Sequence, residues 1–462
     1  MKIHMLGIGG TGMAALAGLL VESGHKVSGT DEAIYPPMSD QLASLGIRPF
    51  KGYKPENIAA ADPQMVVIGN VIRRDNPEAQ EVMRRDLPYH SMPSALAKLF
   101  LAGRTPIVIA GTHGKTTSSN LAAWLLEAAG ESPGFLIGGI GNNFGKGFSP
   151  GHGHLFVVEG DEYDSAFFDK GPKFLHYMPQ ALLITSIEFD HADIYRDLDH
   201  MFSSFERLAQ IVPPDGLVVA NASDPLALKA AFKSQARIVT YAAAGEADYR
   251  PERIKASAEG TSFVMAGCEF LLPLWGDYNL ENAAGVLAML LESGIDPKRL
   301  AAGLAGFKGV RRRQELAGEA GGISVIDDFA HHPTAVAKTI AGTRERFPGA
   351  RIWAIFEPRS NTSRRNIFQR EFVDALAGAD RVILASPYRA DAIPAEERFN
   401  PDEAASLLMR RGVDSHHIEE VDHMVEFVAR GAEKGDVLLV MSNGSFGDIV
   451  KKLLAALEAK RG

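Results

Sequence analysis

Cysteine is nearly missing from this 462-residue chain: Cys268 is the only one. A lone cysteine cannot form an internal disulfide, and no CxxC spacing surrounds it, so a reducing compartment and a structural role are predicted. Excess positive charge is also missing. Lys plus Arg number 48 against 57 Asp plus Glu, a formal net charge of -9 that leaves no basic footprint for nucleic acid, so anionic ligands must be held by local sites. No apolar run approaches the roughly 18 residues needed to span a bilayer. The opening MKIHMLGIGG leads directly into a glycine loop that a cleaved leader would destroy. Together these features predict a cytoplasmic protein with no membrane partner. There is no short repeat, no heptad run and no low-complexity tail, and nothing specifies an oligomeric state.

What the chain has is apolar and charged content, 46% and 23%, in the range of ordinary globular proteins. Its length predicts two to four domains, with three as the working count. Short apolar runs alternate with helical stretches throughout, the pattern of an α/β fold built on parallel sheets. A first unit, residues 1–103, opens with strand Lys2 to Leu6, a glycine loop, a helix over Met13 to Ser23, and strands Lys26 to Gly29 and Met65 to Gly69. A linker-like Ala102 to Pro106 leads to a second unit, 104–310, with strands at Ile107 to Ala110, Leu155 to Glu159 and Ala181 to Thr185. A third, 311–462, has strands at Ile323 to Ile326, Ile352 to Phe356, Arg381 to Leu384 and Val437 to Met441. The glycine-rich stretch Gly138 to Gly153 is the best candidate for a mobile loop.

Two loops carry the first chemical signals. Gly7-x-Gly9-x-x-Gly12, between a strand and a helix, fits a dinucleotide fingerprint in which Gly9, Gly10, Thr11 and Gly12 bring backbone amides to a diphosphate, and Asp31 suits a ribose hydroxyl. That pattern serves an NAD-dependent oxidoreductase and a UDP-sugar binder equally. Gly111-Thr112-His113-Gly114-Lys115-Thr116-Thr117 reads as a phosphate loop, with Lys115 for the β and γ phosphates and the Thr116 hydroxyl for Mg²⁺, although Ile109 stands where the generic pattern has glycine. Glu159 ends a buried-looking strand beside this loop, where a carboxylate can reach Mg²⁺. Asp161, Glu162 and Asp164 read equally well as a solvated acidic turn. Glu188-Phe189-Asp190-His191 brings a histidine and carboxylates to the same sheet edge.

Together these stretches resemble the Mur ligases over nearly the whole chain. The resemblance implies a Rossmann-like UDP-binding domain, a central ATPase domain with a parallel sheet, and a Rossmann-like C-terminal domain that binds peptide. It implies ATP and Mg²⁺ as cofactors, with Lys115 and Thr116 contacting phosphate and Mg²⁺, and Glu159 and His191 holding a second Mg²⁺. It also implies that Asn282 contacts adenine and that Arg313 and Asp328 contact the nucleotide. Tyr278 stands where the family usually has histidine. Several branches place a carbamylated lysine after the central histidine, but no lysine lies between Lys173 and Lys229, which points away from the branches that extend the stem by one residue.

The stretches Tyr35 to Ser39, Asp161 to Lys170, Glu357 to Thr362 and Met441 to Gly447 are similar to the branch that joins UDP-N-acetylmuramate to the murein tripeptide L-alanyl-γ-D-glutamyl-meso-diaminopimelate. The neighbouring branch, which adds L-alanine, is the alternative. On this reading Arg359, Ser360, Asn361, Ser442 and Asn443 are candidate peptide contacts, since arginine grips carboxylates in a bidentate way. Closure of the third domain about a hinge near Val310 to Arg313 would exclude water from an acyl phosphate.

Overall fold

The computed structural model describes residues 1–35, 38–190 and 194–460. Its first sheet takes the order β3-β2-β1-β4-β5 from β1 (Lys2–Leu6), β2 (Lys26–Asp31), β3 (Phe50–Lys51), β4 (Met65–Ile68) and β5 (Tyr89–Ser91), all paired in parallel. The strand order reverses around β1, and the helix Thr11–Glu22 starts at that switch point, so the glycine loop faces the crevice where open α/β sheets bind ligands. The helix buries Met13 to Leu20 without a break, because it is covered by its own sheet and by the next domain.

The central sheet comprises β6 (Thr105–Ala110), β7 (Gly134–Leu136), β8 (Phe148–Ser149), β9 (Leu155–Gly160), β12 (Ala181–Ile184), β13 (Leu217–Asn221) and β14 (Arg237–Tyr241), in the order β14-β13-β12-β6-β9-β7-β8. Thr105 and Pro106, expected in a linker, already belong to β6; at Pro106 the strand is paired with β9 alone, the ladder to β12 starting at Ile107, so the proline lies at an edge of the sheet. A small hairpin, β10 (Asp164–Ala166) with β11 (Asp169–Pro172), reaches toward the first domain, where Tyr89 and Phe168 meet edge to face and Ser91 donates to Asp169. A three-stranded antiparallel sheet of β15 (Glu252–Ser257), β16 (Gly260–Met265) and β17 (Cys268–Leu272) follows, and places the free, partly buried Cys268 in a strand.

The glycine-rich stretch expected to be mobile is tied down on both sides. Asn142 donates its backbone N–H to Gly309 and its side chain to Lys308, Asn143 donates to Gly306, and Arg311 N–H donates to Ile140. The Phe148 ring also fills the space beside Gly18 of the first-domain helix, where a Cβ would stand 2.1 Å from the ring. The stretch expected to be mobile is instead packed in place, by Asn142 and Asn143 within the central unit and by Phe148 against the first domain.

The C-terminal sheet has the order β18-β19-β23-β20-β21-β22, built from β18 (Glu315–Ala320), β19 (Ile323–Asp328), β20 (Ile352–Phe356), β21 (Arg381–Leu384), β22 (Asp414–His417) and β23 (Val437–Met441). The sequence reading missed β18, an antiparallel edge strand that is mostly exposed and lacks an apolar run. Just before it, Arg312 and Gln314 both take left-handed backbone angles (φ 58° and 48°), so the proposed hinge is a sharply bent connection. The third domain docks on the central one through Arg346 over the Trp275 ring at 4.6 Å and the Gly276 N–H donated to Glu345. Among the described residues, no helix is long and apolar enough to cross a membrane.

Candidate active site at the domain junction

The phosphate loop leaves the C-terminal end of β6 and enters the helix Lys115–Ala128 through Gly114, whose φ of +81° only glycine adopts at low cost. A Cβ at Gly114 would also lie 2.3 Å from Asn282 Oδ1, so the predicted adenine contact already touches the loop from the helix Asp277–Glu292. Lys115 Nζ donates to Gly111 O at 2.5 Å and to both carboxylate oxygens of Glu162 at 3.0 and 2.8 Å. Burial works against the lysine's charge, but Glu162, Asp161 and Glu159 outweigh it and raise its pKa. Glu162 is fully buried, so the solvated-turn alternative fails for this residue, while Asp161 and Asp164 stay partly exposed. The loop's lysine thus rests on a carboxylate from the strand end beside it.

Thr116 donates its hydroxyl to Glu159 Oε1 at 2.8 Å, and Glu159 Oε2 accepts the Gly138 N–H at 2.7 Å. Hydroxyl and carboxylate therefore stand together, a hard oxygen pair of the kind Mg²⁺ takes. Arg313 reaches across from the third domain, its Nη2 3.4 Å from Thr116 Oγ1, with its guanidinium on the Phe329 ring at 4.4 Å. Asp328 lies behind it and accepts the backbone N–H groups of Gln314 and Ala330, each at 2.7 Å. Burial raises the Asp328 pKa, partly offset by Arg313 and these amides. The structure thus brings Lys115, Thr116, Glu159, Asn282, Arg313 and Asp328 into one neighbourhood. His191 lies outside the described residues, as do Pro36 and Pro37 of the Tyr35 to Ser39 stretch.

A second set of side chains crosses the same boundary. His113 places Nε2 3.3 Å from Glu188 Oε2, while Thr112 and Glu188 are joined by two hydrogen bonds. From the third domain, Thr334 donates to Glu188 Oε2 at 2.7 Å, and His332 places Nδ1 3.6 Å from the same oxygen. Burial alone would raise the Glu188 pKa, but the hydrogen bonds of His113 and Thr334 and the nearby imidazoles bring it down to about 2. Thr362 donates to the buried Asp190, adding another link between the domains.

The first-domain loop stands apart: among the described residues, no hydrogen bond joins Gly7–Gly12 to Gly111–Thr117. Asp31 accepts the Gly9 N–H at 2.8 Å and the Glu32 N–H at 2.8 Å, so its carboxylate shapes the loop it follows. Gly10, Thr11 and Gly12 open the helix behind it. In the third domain, Arg359 lies on the Tyr388 ring at 3.7 Å and 3.3 Å from Glu357, and Ser442 donates its hydroxyl to Glu357 at 2.5 Å. Ser360 bonds Ser363, Asn361 accepts from Arg364, and the buried Asn443 Oδ1 has no partner among the described residues. Sequence reasoning missed Glu162, Tyr388 and Thr334, whose roles come from folded proximity. Glu162 had one usable signal, an acidic residue three positions after Glu159 beyond a strand end that faces the loop.

A three-domain α/β chain with a phosphate loop at the central sheet's edge, closed over by an arginine from the last domain, defines a nucleotide-dependent enzyme that works between domains. Models of three successive domains match it: the Mur ligase family catalytic domain over residues 2–104, the Mur ligase middle domain over 109–290 and the Mur ligase glutamate ligase domain over 312–444. Two curated relatives, both UDP-N-acetylmuramate--L-alanyl-gamma-D-glutamyl-meso-2,6-diaminoheptandioate ligases, are 38% identical in Escherichia coli (strain K12) and 36% identical in Haemophilus influenzae. The matches cover 100% and 99% of this chain and 99% of each relative. Among solved structures, a murein peptide ligase from Psychrobacter arcticus 273-4 matches at 32% identity and TM-score 0.73, covering 99% of this chain and 98% of that one. A UDP-N-acetylmuramate-alanine ligase from Thermotoga maritima matches at 25% identity and TM-score 0.82 over the full length of both. The chain belongs to the Mur ligase family.

Proposed function

We propose that this chain joins the carboxylate of UDP-N-acetylmuramate to the amine of L-alanyl-γ-D-glutamyl-meso-diaminopimelate in the cytoplasm, using ATP and releasing ADP and phosphate. Residues 1–103 would bind the UDP-linked substrate, 104–310 ATP, and 311–462 the peptide. The observation that carries the ligase reading is the approach of Arg313 to Thr116, which sets a third-domain cation against the phosphate loop. The nicotinamide reading of Gly7–Gly12 leaves the buried Lys115–Glu162 pair without a role.

The muramate carboxylate attacks the γ-phosphate to form an acyl phosphate, and the peptide amine then displaces phosphate. Lys115 exchanges Glu162 for the phosphates, and Arg313 stabilises charge on the transferring group from the opposite side. Thr116 and Glu159, with His191, would hold Mg²⁺, which supplies charge neutralisation at the phosphates when bound. Glu188 with Thr334, and Asp190 with Thr362, hold the third domain down so that water is kept from the acyl phosphate. Arg359, Ser360, Asn361, Ser442 and Asn443 follow the C-terminal ends of the neighbouring strands β20 and β23, where Arg359 would meet a carboxylate of the tripeptide.

The full-length likeness to the tripeptide ligases favours the tripeptide over L-alanine. The higher TM-score to the alanine ligase favours the second reading, but it reports domain arrangement, which the two branches can share. Lys115→Ala is expected to abolish tripeptide-dependent ADP release; near-normal turnover in that variant would overturn the ATP-site assignment.

A further inference from the structure

We propose that His113, Glu188 and His332 form a binding site for a divalent transition-metal ion of the Zn²⁺ type, at the seam between the central and C-terminal domains and separate from the oxygen pair Thr116–Glu159. One ligand atom from each of the three residues lies within 4.8 Å of the other two. Ligands about 2.0–2.2 Å from a tetrahedral ion stand about 3.3–3.6 Å from one another. His113 Nε2 is 3.3 Å and His332 Nδ1 is 3.6 Å from Glu188 Oε2, so two of the three ligand edges already have this spacing. The third edge, between the two imidazole nitrogens, is at most 4.8 Å and would have to shorten when an ion binds.

An independent observation points to a ligand. His332 is 6% exposed, and neither of its ring nitrogens has a hydrogen-bond partner among the described residues. A buried polar group left this way loses its solvation without a replacement and is rare in native proteins. Burial also holds this imidazole neutral, its pKa lowered to about 4, so its lone pair is available near neutral pH. The Thr334 hydroxyl on Glu188 at 2.7 Å orients the carboxylate, as an outer partner does around a bound metal. Two imidazoles and one carboxylate suit Zn²⁺ or Co²⁺, with a water at the fourth position. Mg²⁺ prefers oxygen and goes to Thr116 and Glu159 instead. An ion here would tether His113 of the phosphate loop to His332 of the third domain and hold the two domains closed.

The test is Co²⁺ titration of the full-length, chelator-stripped protein in excess Mg²⁺, followed by visible absorption and by metal content after gel filtration. The expected result is one Co²⁺ per chain with nitrogen-and-oxygen ligation bands, displaced by Zn²⁺ and retained in Glu159→Gln. Affinity should fall at least about 10-fold in Glu188→Gln and in His332→Gln. Should either variant fail to fold by circular dichroism, His113→Asn is the third arm, with the same expected loss. Absence of binding under excess Mg²⁺, wild-type affinity in the folded ligand variants, or loss of the ion in Glu159→Gln would each overturn the proposal.

Discussion

Lys115 Nζ lies 2.8 Å from Glu162 Oε2, and the carboxylate it meets is fully buried. The pair keeps the phosphate loop's cation in place by satisfying it. Glu162→Ala takes both carboxylate hydrogen bonds from a desolvated lysine and leaves it only the carbonyls of its loop and the more distant charges of Asp161 and Glu159, so it is expected to destabilise the protein by up to roughly 3–5 kcal/mol in denaturant unfolding. A loss below about 1 kcal/mol would contradict the burial of this pair.

Docking of the first domain on the second depends on Gly18 leaving room for Phe148. Gly18→Ala should cost about 1–3 kcal/mol through overpacking. The double variant Gly18→Ala/Phe148→Leu should recover part of that cost, because the two side chains share one space. Strict additivity in thermal or urea unfolding would show that the ring and the helix do not touch.

This contact also shows where the sequence was legible and where it was not. The strands β20, β21 and β23 can be read directly, because each is an apolar run bounded by polar residues and buried on both faces. Lys115 and Thr116 stand out for the same kind of local reason, a glycine loop between a strand and a helix. The stretch Gly138 to Gly153 misleads, because Phe148, Asn143 and Asn142 within it answer to Gly18, Gly306 and Gly309, more than a hundred residues away in either direction. Glu162 is ambiguous in sequence, since an acidic turn and a buried ion pair look alike until the fold supplies Lys115. The edge strand β18 escapes because it is paired on one side only and needs no continuous apolar face.

Burial pushes the Asp327 carboxyl up to about 6, with Asp328 adding to the rise and Arg312 opposing it. The folded chain therefore holds this proton more tightly than the unfolded one. The stability contributed by the neutral form is complete below about pH 3.8 and is lost as pH rises through about 6. Relative to Asp327→Asn, the wild type should lose stability between pH 4 and 6, read as a growing difference in urea midpoints. A difference that is flat across this window, or that shrinks, would contradict the environment described for Asp327.

Arg313 meets Thr116 from another domain. Arg313→Ala is expected to lower kcat roughly 100-fold, the scale for losing one charge-stabilising donor, while the far-ultraviolet spectrum stays unchanged. Turnover within about twofold of wild type would remove this arginine from the phosphoryl-transfer site.

The central claim is that this Mur ligase takes a preformed tripeptide as its amine. The direct measurement is mass spectrometry of the products formed from UDP-N-acetylmuramate and ATP-Mg²⁺ with equal L-alanine and L-alanyl-γ-D-glutamyl-meso-diaminopimelate present together. The account predicts the UDP-linked muramoyl tripeptide as the dominant product. Dominant UDP-N-acetylmuramoyl-L-alanine would contradict it and assign the chain to the alanine-adding branch.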